Sequence, residues 1–332
     1  MRRNARKRSQ GRFVDRKNGI IDPWDNISRL PDHILHHMIS FLPSSAKEQV
    51  RSLSINWRQL NKETQRALSM IGHRLDEQEL SRILVDFPSV EFLSLKKCSG
   101  MRTLRLEKLK LKNIELKYCV SLKNLQLDTP NVEAFLFHGP RLRPCTIEFG
   151  ICKKLKVVHL VGVAMNKAMF TDCNKNFSLL QQLVIGGCDF TGCIKISSNS
   201  LERLSLLRFN TSVAIHIKAP NLRSFVYNGS TIPSLIMHST HLILAELDLR
   251  PYQERDEKWV PKFLQMLRRL KHAQKLRFHS KFDENIIVPK ELRETLNPPI
   301  DGMPFIEIKT NSRSNNIVHL TDAMLWLCPR GI

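Results

Sequence analysis

The sequence predicts an α+β chain in which a short helical segment leads into a solenoid of leucine-rich coils. Three observations carry this. From residue 90 onward a frame written L-x-x-L-x-L recurs every 21 to 25 residues. A second, similar frame falls ten or eleven residues after most copies of the first. Ahead of the ladder, residues 24–64 space their apolar side chains for a helix and not for a strand.

The helical segment comes first. After Pro23-Trp24, apolar residues fall at Ile34, Leu35, Met38, Ile39 and Leu42, which is one face of a short helix ended by Pro43. Ser44-Ser45 then offers an N-cap, and Val50, Leu53, Trp57 and Leu60 recur at three- and four-residue steps. So few helical turns cannot enclose a core of their own, so an apolar face is left needing a partner.

This segment resembles the F-box, and specifically that of the plant F-box and leucine-rich-repeat proteins. The resemblance rests on Ile27-Ser28-Arg29-Leu30-Pro31-Asp32, Ile34-Leu35, Ile39-Ser40-Phe41-Leu42-Pro43, Val50-Arg51, Leu53 and Trp57-Arg58. It implies that Leu30, Pro31, Ile34, Leu35, Ile39, Leu42, Val50 and Trp57 dock a Skp-type adaptor, and through it a cullin scaffold. The chain is then expected to be the substrate-recognition subunit of a ubiquitin ligase, non-catalytic and without a cofactor.

The ladder runs through Val90/Leu93/Leu95, Leu111/Ile114/Leu116, Val132/Phe135/Phe137, Leu155/Val158/Leu160, Leu180/Leu183/Ile185, Leu201/Leu204/Leu206, Leu222/Phe225/Tyr227 and Leu244/Leu247/Leu249. Between these strands the second frame appears, as at Met101/Leu104/Leu106, Leu122/Leu125/Leu127 and Ile232/Leu235/Met237. Coils of this length leave no room for two strands and a long helix, so a flattened solenoid with strands on both faces is expected. The longest coil, Met165 to Phe177, is given a short helical excursion. Turns at Thr129-Pro130-Asn131, Gly139-Pro140 and Ala219-Pro220-Asn221 punctuate the ladder.

Strand alternation turns the residue inside each L-x-L away from the core. Those residues are Ser94, Glu115, Leu136, His159, Val184, Ser205, Val226 and Asp248, and they are the candidates for binding a target. Cys98, Cys119 and Cys188 stand three residues after the last core residue of their strands, where such repeats use Asn or Cys to fill the turn. A packing role is expected for them, and no metal site.

Near the C-terminus, Val260, Phe263, Leu264, Leu267 and Leu270 share a helical face, and Leu276/Phe278 gives a last repeat-like strand. The stretches Glu291-Leu292-Arg293-Glu294 and Leu325-Trp326-Leu327-Cys328-Pro329 again resemble the tail of the plant F-box and leucine-rich-repeat proteins. The expected division is a basic tail over 1–23, the F-box over 24–64, a helical connector over 65–88, the solenoid over 89–280 and a capping region over 281–332.

Composition bounds the function. An apolar share of 42% and a charged share of 25% are those of a folded domain. Neither a spanning run of apolar residues nor a secretory leader is read in it, so no membrane role and a nuclear or cytoplasmic address are expected. The net charge of +21 points to acidic partners. Lys96, Lys97, Arg102, Arg105, Lys108, Lys110, Lys112 and Lys117 crowd the first coils, suited to an acidic target or a polyphosphate. Nucleic-acid binding is disfavoured, because three Tyr and four Trp supply no basic-aromatic patch. No phosphate loop, nucleophile elbow or paired metal-ligand spacing is present in the sequence.

Overall fold

The computed structural model describes residues 65–107, 110–140, 144–164, 169–188, 192–210, 213–250, 259–280, 287–300, 305–310 and 317–329. By contact these fall into two compact units, one holding residues 65–66 and 82–90 and the other holding residues 67–81 and 91–329. The second unit is the repeat body. It is mostly β-structure with few helices.

Its primary strands are β1 (Ala67–Ile71), β3 (Phe92–Lys96), β6 (Asn113–Lys117), β8 (Ala134–His138), β10 (Val157–Val161) and β12 (Gln182–Gly186). They continue as β14 (Arg203–Phe209), β16 (Ser224–Gly229), β18 (Leu244–Leu249), β19 (Lys275–Ser280) and β20 (Phe305–Thr310). All eleven stack in that order as one parallel sheet. The leucine frame explains why: each coil brings its L-x-L back to the same place, so its inward pair stacks directly on the pair before it. Leu93, Ile114, Phe135, Val158, Leu183, Leu204 and Phe225 lie in register along one inward row and are all fully buried.

Opposite this sheet run the shorter strands of the second frame. A pair, β2 (Arg74–Leu75) and β4 (Ser99–Gly100), comes first. A four-stranded sheet follows, made of β5 (Thr103–Glu107), β7 (Asn124–Asp128), β9 (Cys145–Phe149) and β11 (Val163–Ala164). A three-stranded one completes the face with β13 (Cys193–Ser197), β15 (Ala214–Lys218) and β17 (Ser234–His238). Strands on both faces are the expected flattened solenoid. Phe135 from the long sheet meets Phe149 from the four-stranded sheet edge-to-face at 5.6 Å between ring centroids. Phe149 continues the contact to Phe177 at 5.3 Å. Aromatic rings therefore bridge the two faces where the coil is longest, next to the one-turn helix α2 (Cys173–Asn176).

The structure differs from the sequence reading at both ends of the ladder. Residues 65–88, read as a helical connector, hold strands β1 and β2 before helix α1 (Glu77–Asp86). Strand β1 pairs Leu68 with Leu93 and Met70 with Leu95, so a coil stands one step earlier than the leucine frame shows. Its frame has Gln65 and Met70 where leucines would signal it. Helix α1 opens on a reciprocal cap: Glu79 N–H donates to Asp76 Oδ1 at 2.8 Å and Asp76 N–H donates to Glu79 Oε2 at 2.9 Å. Of the first unit, the described residues are 65–66, the end of α1 and the turn after it, where Val90 N–H donates to Phe87 O.

At the other end, β19 is not the last strand, because β20 joins it in parallel from within the region expected only to cap. Helix α3 (Trp259–Leu270) buries Val260, Phe263, Leu264, Leu267 and Leu270, the face its spacing predicts. Two further helices, α4 (Lys290–Arg293) and α5 (Ile317–Leu327), belong to the tail. Arg293 donates to Val288 O at 2.7 Å and to Asp322 Oδ2 at 2.8 Å, and its guanidinium lies 5.9 Å from the Trp326 ring centre. The two tail stretches singled out in the sequence thus meet through one arginine. No helix among the described residues is long and apolar enough to cross a membrane.

Candidate functional site

Parallel pairing sets the non-core residues of the long sheet in rows. The central row runs Ser69, Ser94, Glu115, Leu136, His159, Val184, Ser205, Val226, Glu246, Arg277 and Glu307. Seven of the eight expected target-facing residues therefore share one row. The eighth, Asp248, does not: it pairs with Asn228, and Glu246 is the residue beside Val226. Ala245 takes the place of the first core leucine in this coil, so the visible Leu247/Leu249 pair reads two residues too far along. A slip of two keeps the face, so Asp248 still lies on the same side of the sheet.

Exposure divides the row. Ser94 is buried, its hydroxyl donating to Glu115 Oε2 at 2.9 Å, and Val184 is nearly as covered. Leu136, His159, Ser205 and Val226 are half-buried, as are Val157 and Val161 in β10 and Leu207 in β14. Leu136, Val157, Val161, Leu207 and Val226 make an aliphatic band across the middle of the sheet. The four-stranded sheet shows the contrary pattern, with Arg105, Gln126 and Glu148 standing on its solvent side. Of these two sheets, the long one carries the apolar outer residues.

Polar groups frame the band. Toward the first coils, Glu115 accepts ion pairs from Lys117 and from Lys96, the latter at 3.1 Å. The Lys117 ammonium, with help from Lys96 and Ser94 and against the cost of burial, holds the Glu115 carboxyl down at about 2. A folded-state value below the ordinary 4.5 means that this pairing stabilises the fold fully above pH 4.5 and is lost as pH falls toward 2. Glu115→Gln is therefore expected to cost roughly 1 kcal/mol at neutral pH, after discounting for solvent screening, with the difference in melting temperature from wild type vanishing near pH 2. A pH-independent difference in thermal scans would contradict this.

In the band, His159 Nε2 lies 2.9 Å from Gln182 Nε2. Burial lowers the pKa values of both His138 and His159, and the nearby Lys117 charge lowers them further. Toward the last coils, Arg277 bridges Glu246 and Glu307 at 2.9 Å each, and His279 Nε2 lies 3.1 Å from Glu246 Oε1. That end is a charge network closed on itself.

The basic crowd of the first coils is split by the fold. Lys96 and Lys117 belong to the long sheet, whereas Arg105 belongs to the opposite one and Lys112 pairs with Glu91 at 3.0 Å. Lys108 lies outside the described residues. So do the expected adaptor-docking residues Leu30, Pro31, Ile34, Leu35, Ile39, Leu42, Val50 and Trp57.

All eight cysteines are free thiols. Cys98 donates to Met70 O at 3.5 Å and Cys119 to Leu95 O at 3.6 Å, each reaching the coil before its own. Burial pushes the Cys119 thiol up to about 11. These are turn-filling groups, as their position in the frame implies. Among the described residues no cluster of His, Cys, Asp or Glu is arranged to hold a metal ion.

Known proteins resemble this chain in sequence. Residues 140–258 match the family described as At1g61320/AtMIF1, LRR domain. An F-box/LRR-repeat protein of Arabidopsis thaliana is 26% identical, the match covering 78% of this chain and 60% of that protein. A second Arabidopsis F-box/LRR-repeat protein is 24% identical over 69% of this chain and 54% of its own length. A putative F-box/FBD/LRR-repeat protein of the same plant is 22% identical over 92% of this chain and 72% of its own. The chain thus spans 60% or less of the first two of these relatives. Joined to the parallel ladder and the F-box-like residues ahead of it, these matches relate the chain to the plant F-box/leucine-rich-repeat proteins.

Proposed function

We propose that the chain is the substrate-recognition subunit of a Skp–cullin–F-box ubiquitin ligase. In this reading Leu30, Pro31 and the apolar helical face behind them dock the Skp-type adaptor, and the outer face of the long sheet holds the protein target. The observation that carries it is the aliphatic band of Leu136, Val161, Leu207 and Val226 on the solvent side of a rigid parallel sheet. Partly exposed apolar residues gathered on one regular surface mark a protein contact more than scattered ones do.

The chemistry is then one of proximity. A receptor that grips both scaffold and target keeps a target lysine near a ubiquitin-charged enzyme, raising its effective concentration without a catalytic side chain of its own. Affinity purification of the wild-type chain is expected to retain a Skp-type adaptor and a cullin, and the Leu30→Ala/Pro31→Ala chain to lose both. Retention of neither by wild type would sink the proposal. Recovery of nucleic acid in their place would favour a basic scaffold role.

A further inference from the structure

The two edges of the long sheet's outer face carry opposite electrostatic designs. Just before the strands, Glu91 pairs with Lys112 at 3.0 Å and Glu133 with Lys156 at 2.8 Å, so charges alternate and cancel. At the strands' C-terminal ends the balance is different. Lys96 and Lys117 both pair with Glu115, while Lys97 and Arg208 add two further cations, and Asp248, paired with Arg250, is the other carboxylate near this edge. Lys97 and Arg208 form no ion pair with a described residue, and Arg208 is exposed.

Shape reinforces the charge. One position recurs two residues past the last core side chain of a coil, and in several coils the chain turns there through the left-handed region. Lys97, Tyr118 and Arg208 occupy it with φ of 53°, 56° and 59°, and Gly162 and Gly187 with 68° and 55°. Gly139 stands at the same offset, its N–H donating to Val161 O as Gly162 N–H does to Gly186 O. Strands β8, β10 and β12 therefore end without a side chain at this position, while β6 and β14 on either side end in Tyr118 and Arg208. Four strand spacings of about 4.8 Å make this gap about 19 Å wide, room for an extended chain or a helix.

Arg208 stands at a break in the pairing of its own strand. The register between β14 and β16 shifts between Leu206 and Phe209, and Arg208 sits in that irregularity. Its N–H donates to the Asn228 side-chain oxygen at 3.0 Å, and the Asn228 amide nitrogen donates to Asp248 at 2.6 Å. Across the gap, His138 feels both the Lys117 and the Arg208 charge, so the two cations bear on one region. The aliphatic band lies directly alongside.

We infer that this face takes a target segment in which aliphatic side chains adjoin carboxylates, the aliphatic groups lying on Leu136, Val161 and Leu207 and the carboxylates in the glycine-floored gap between Lys117 and Arg208. The inference rests on the repeat face being the target-binding side, and adds which chemistry it selects. Charge complementarity sets register and partner choice on an apolar platform that would otherwise accept many sequences.

The test is selection of random phage-displayed peptides on the full chain co-expressed with a Skp-type adaptor. The best peptide is then made synthetically and titrated by fluorescence anisotropy. Enriched peptides are expected to place Asp or Glu beside Leu, Ile or Val. Arg208→Glu, which disturbs no ion pair among the described residues, is expected to raise Kd about tenfold, or about 1.4 kcal/mol. Lys117→Gln should weaken binding in the same direction, and Lys156→Gln on the opposite edge should leave it unchanged. No enrichment, enrichment without an acidic bias, or indifference to Arg208→Glu would overturn the inference. Arg208-dependent binding of a labelled oligonucleotide without acidic-peptide enrichment would overturn it too, in favour of a polyanion site. Co-purification of the adaptor is read separately in the same preparation, so loss of the ligase role and loss of the acidic specificity are distinguishable.

Discussion

Replacing Phe135 by alanine is expected to remove about 3–5 kcal/mol of stability, the usual cost of deleting a fully buried phenylalanine. Phe135 has no exposed surface, and its ring edge meets Phe149 across the interior, so the substitution takes away both transfer energy and the contact joining the two sheet faces. In a stack of coils the loss is felt first by neighbours. The coils holding Leu116 and Leu160 should open with it, visible as raised hydrogen exchange along β6 and β10. The adjacent Leu136→Ser is the counterpart: one residue along, on the other side of the pleat and only half-buried, it is expected to cost about 1 kcal/mol. Urea denaturation of the two variants decides whether the alternation is assigned correctly. An equal loss for both would mean that the outer band is interior.

That contrast also shows why so much of this fold is legible in the amino-acid sequence. A coil cannot bury its leucines unless its neighbours repeat the frame, so the spacing of Leu93, Ile114, Phe135 and Val158 is itself the structural constraint. Legibility fails where a buried site accepts something other than leucine. Ala245 fills the inward place next to Phe225 with a small side chain, and the frame of β18 is then read two residues late. Met70 and Gln65 hide the first coil in the same way. Strand β20 was visible as an alternation at Ile306 and Ile308, but nothing local tells that it stacks on β19 after an insertion of that length.

The candidate surface was legible in its rows and not in its edges. Alternation alone places Glu115, Leu136, His159, Ser205 and Val226 together, whereas the burial of Ser94 depends on the neighbouring Glu115 side chain. The cationic edge came through only as a local excess of lysine, and the fold had to divide that excess between two faces. The glycine gap did leave a signal. Gly139, Gly162 and Gly187 each stand two residues after a core residue of the frame, at the offset that Tyr118 and Arg208 also hold.

The same offset supplies the second large effect. Gly162 and Gly187 both turn through positive φ, yet alanine is expected to be far worse at the first. A Cβ on Gly162 would stand 2.8 Å from Gly139 O and 3.1 Å from Gly139 C. Those are backbone atoms held in the ladder, Gly139 by its bond to Val161 O and Gly162 by its bond to Gly186 O, so neither can turn aside. The two coils must part, and about 1–3 kcal/mol of overpacking adds to a φ penalty of similar size. A Cβ on Gly187 meets only Val161 Cγ1, at 4.0 Å, which is ordinary contact. Its cost is the φ alone, about 1 kcal/mol, and Lys97, Tyr118 and Arg208 already carry side chains in this conformation. Equilibrium denaturation should therefore rank Gly162→Ala well below Gly187→Ala, and the reverse order would show that coil spacing at Gly139 is looser than the ladder implies. With the expected order, Gly187→Ala becomes the variant that places a methyl on the floor of the gap while leaving the stack intact, so any change in peptide binding can be attributed to the gap itself.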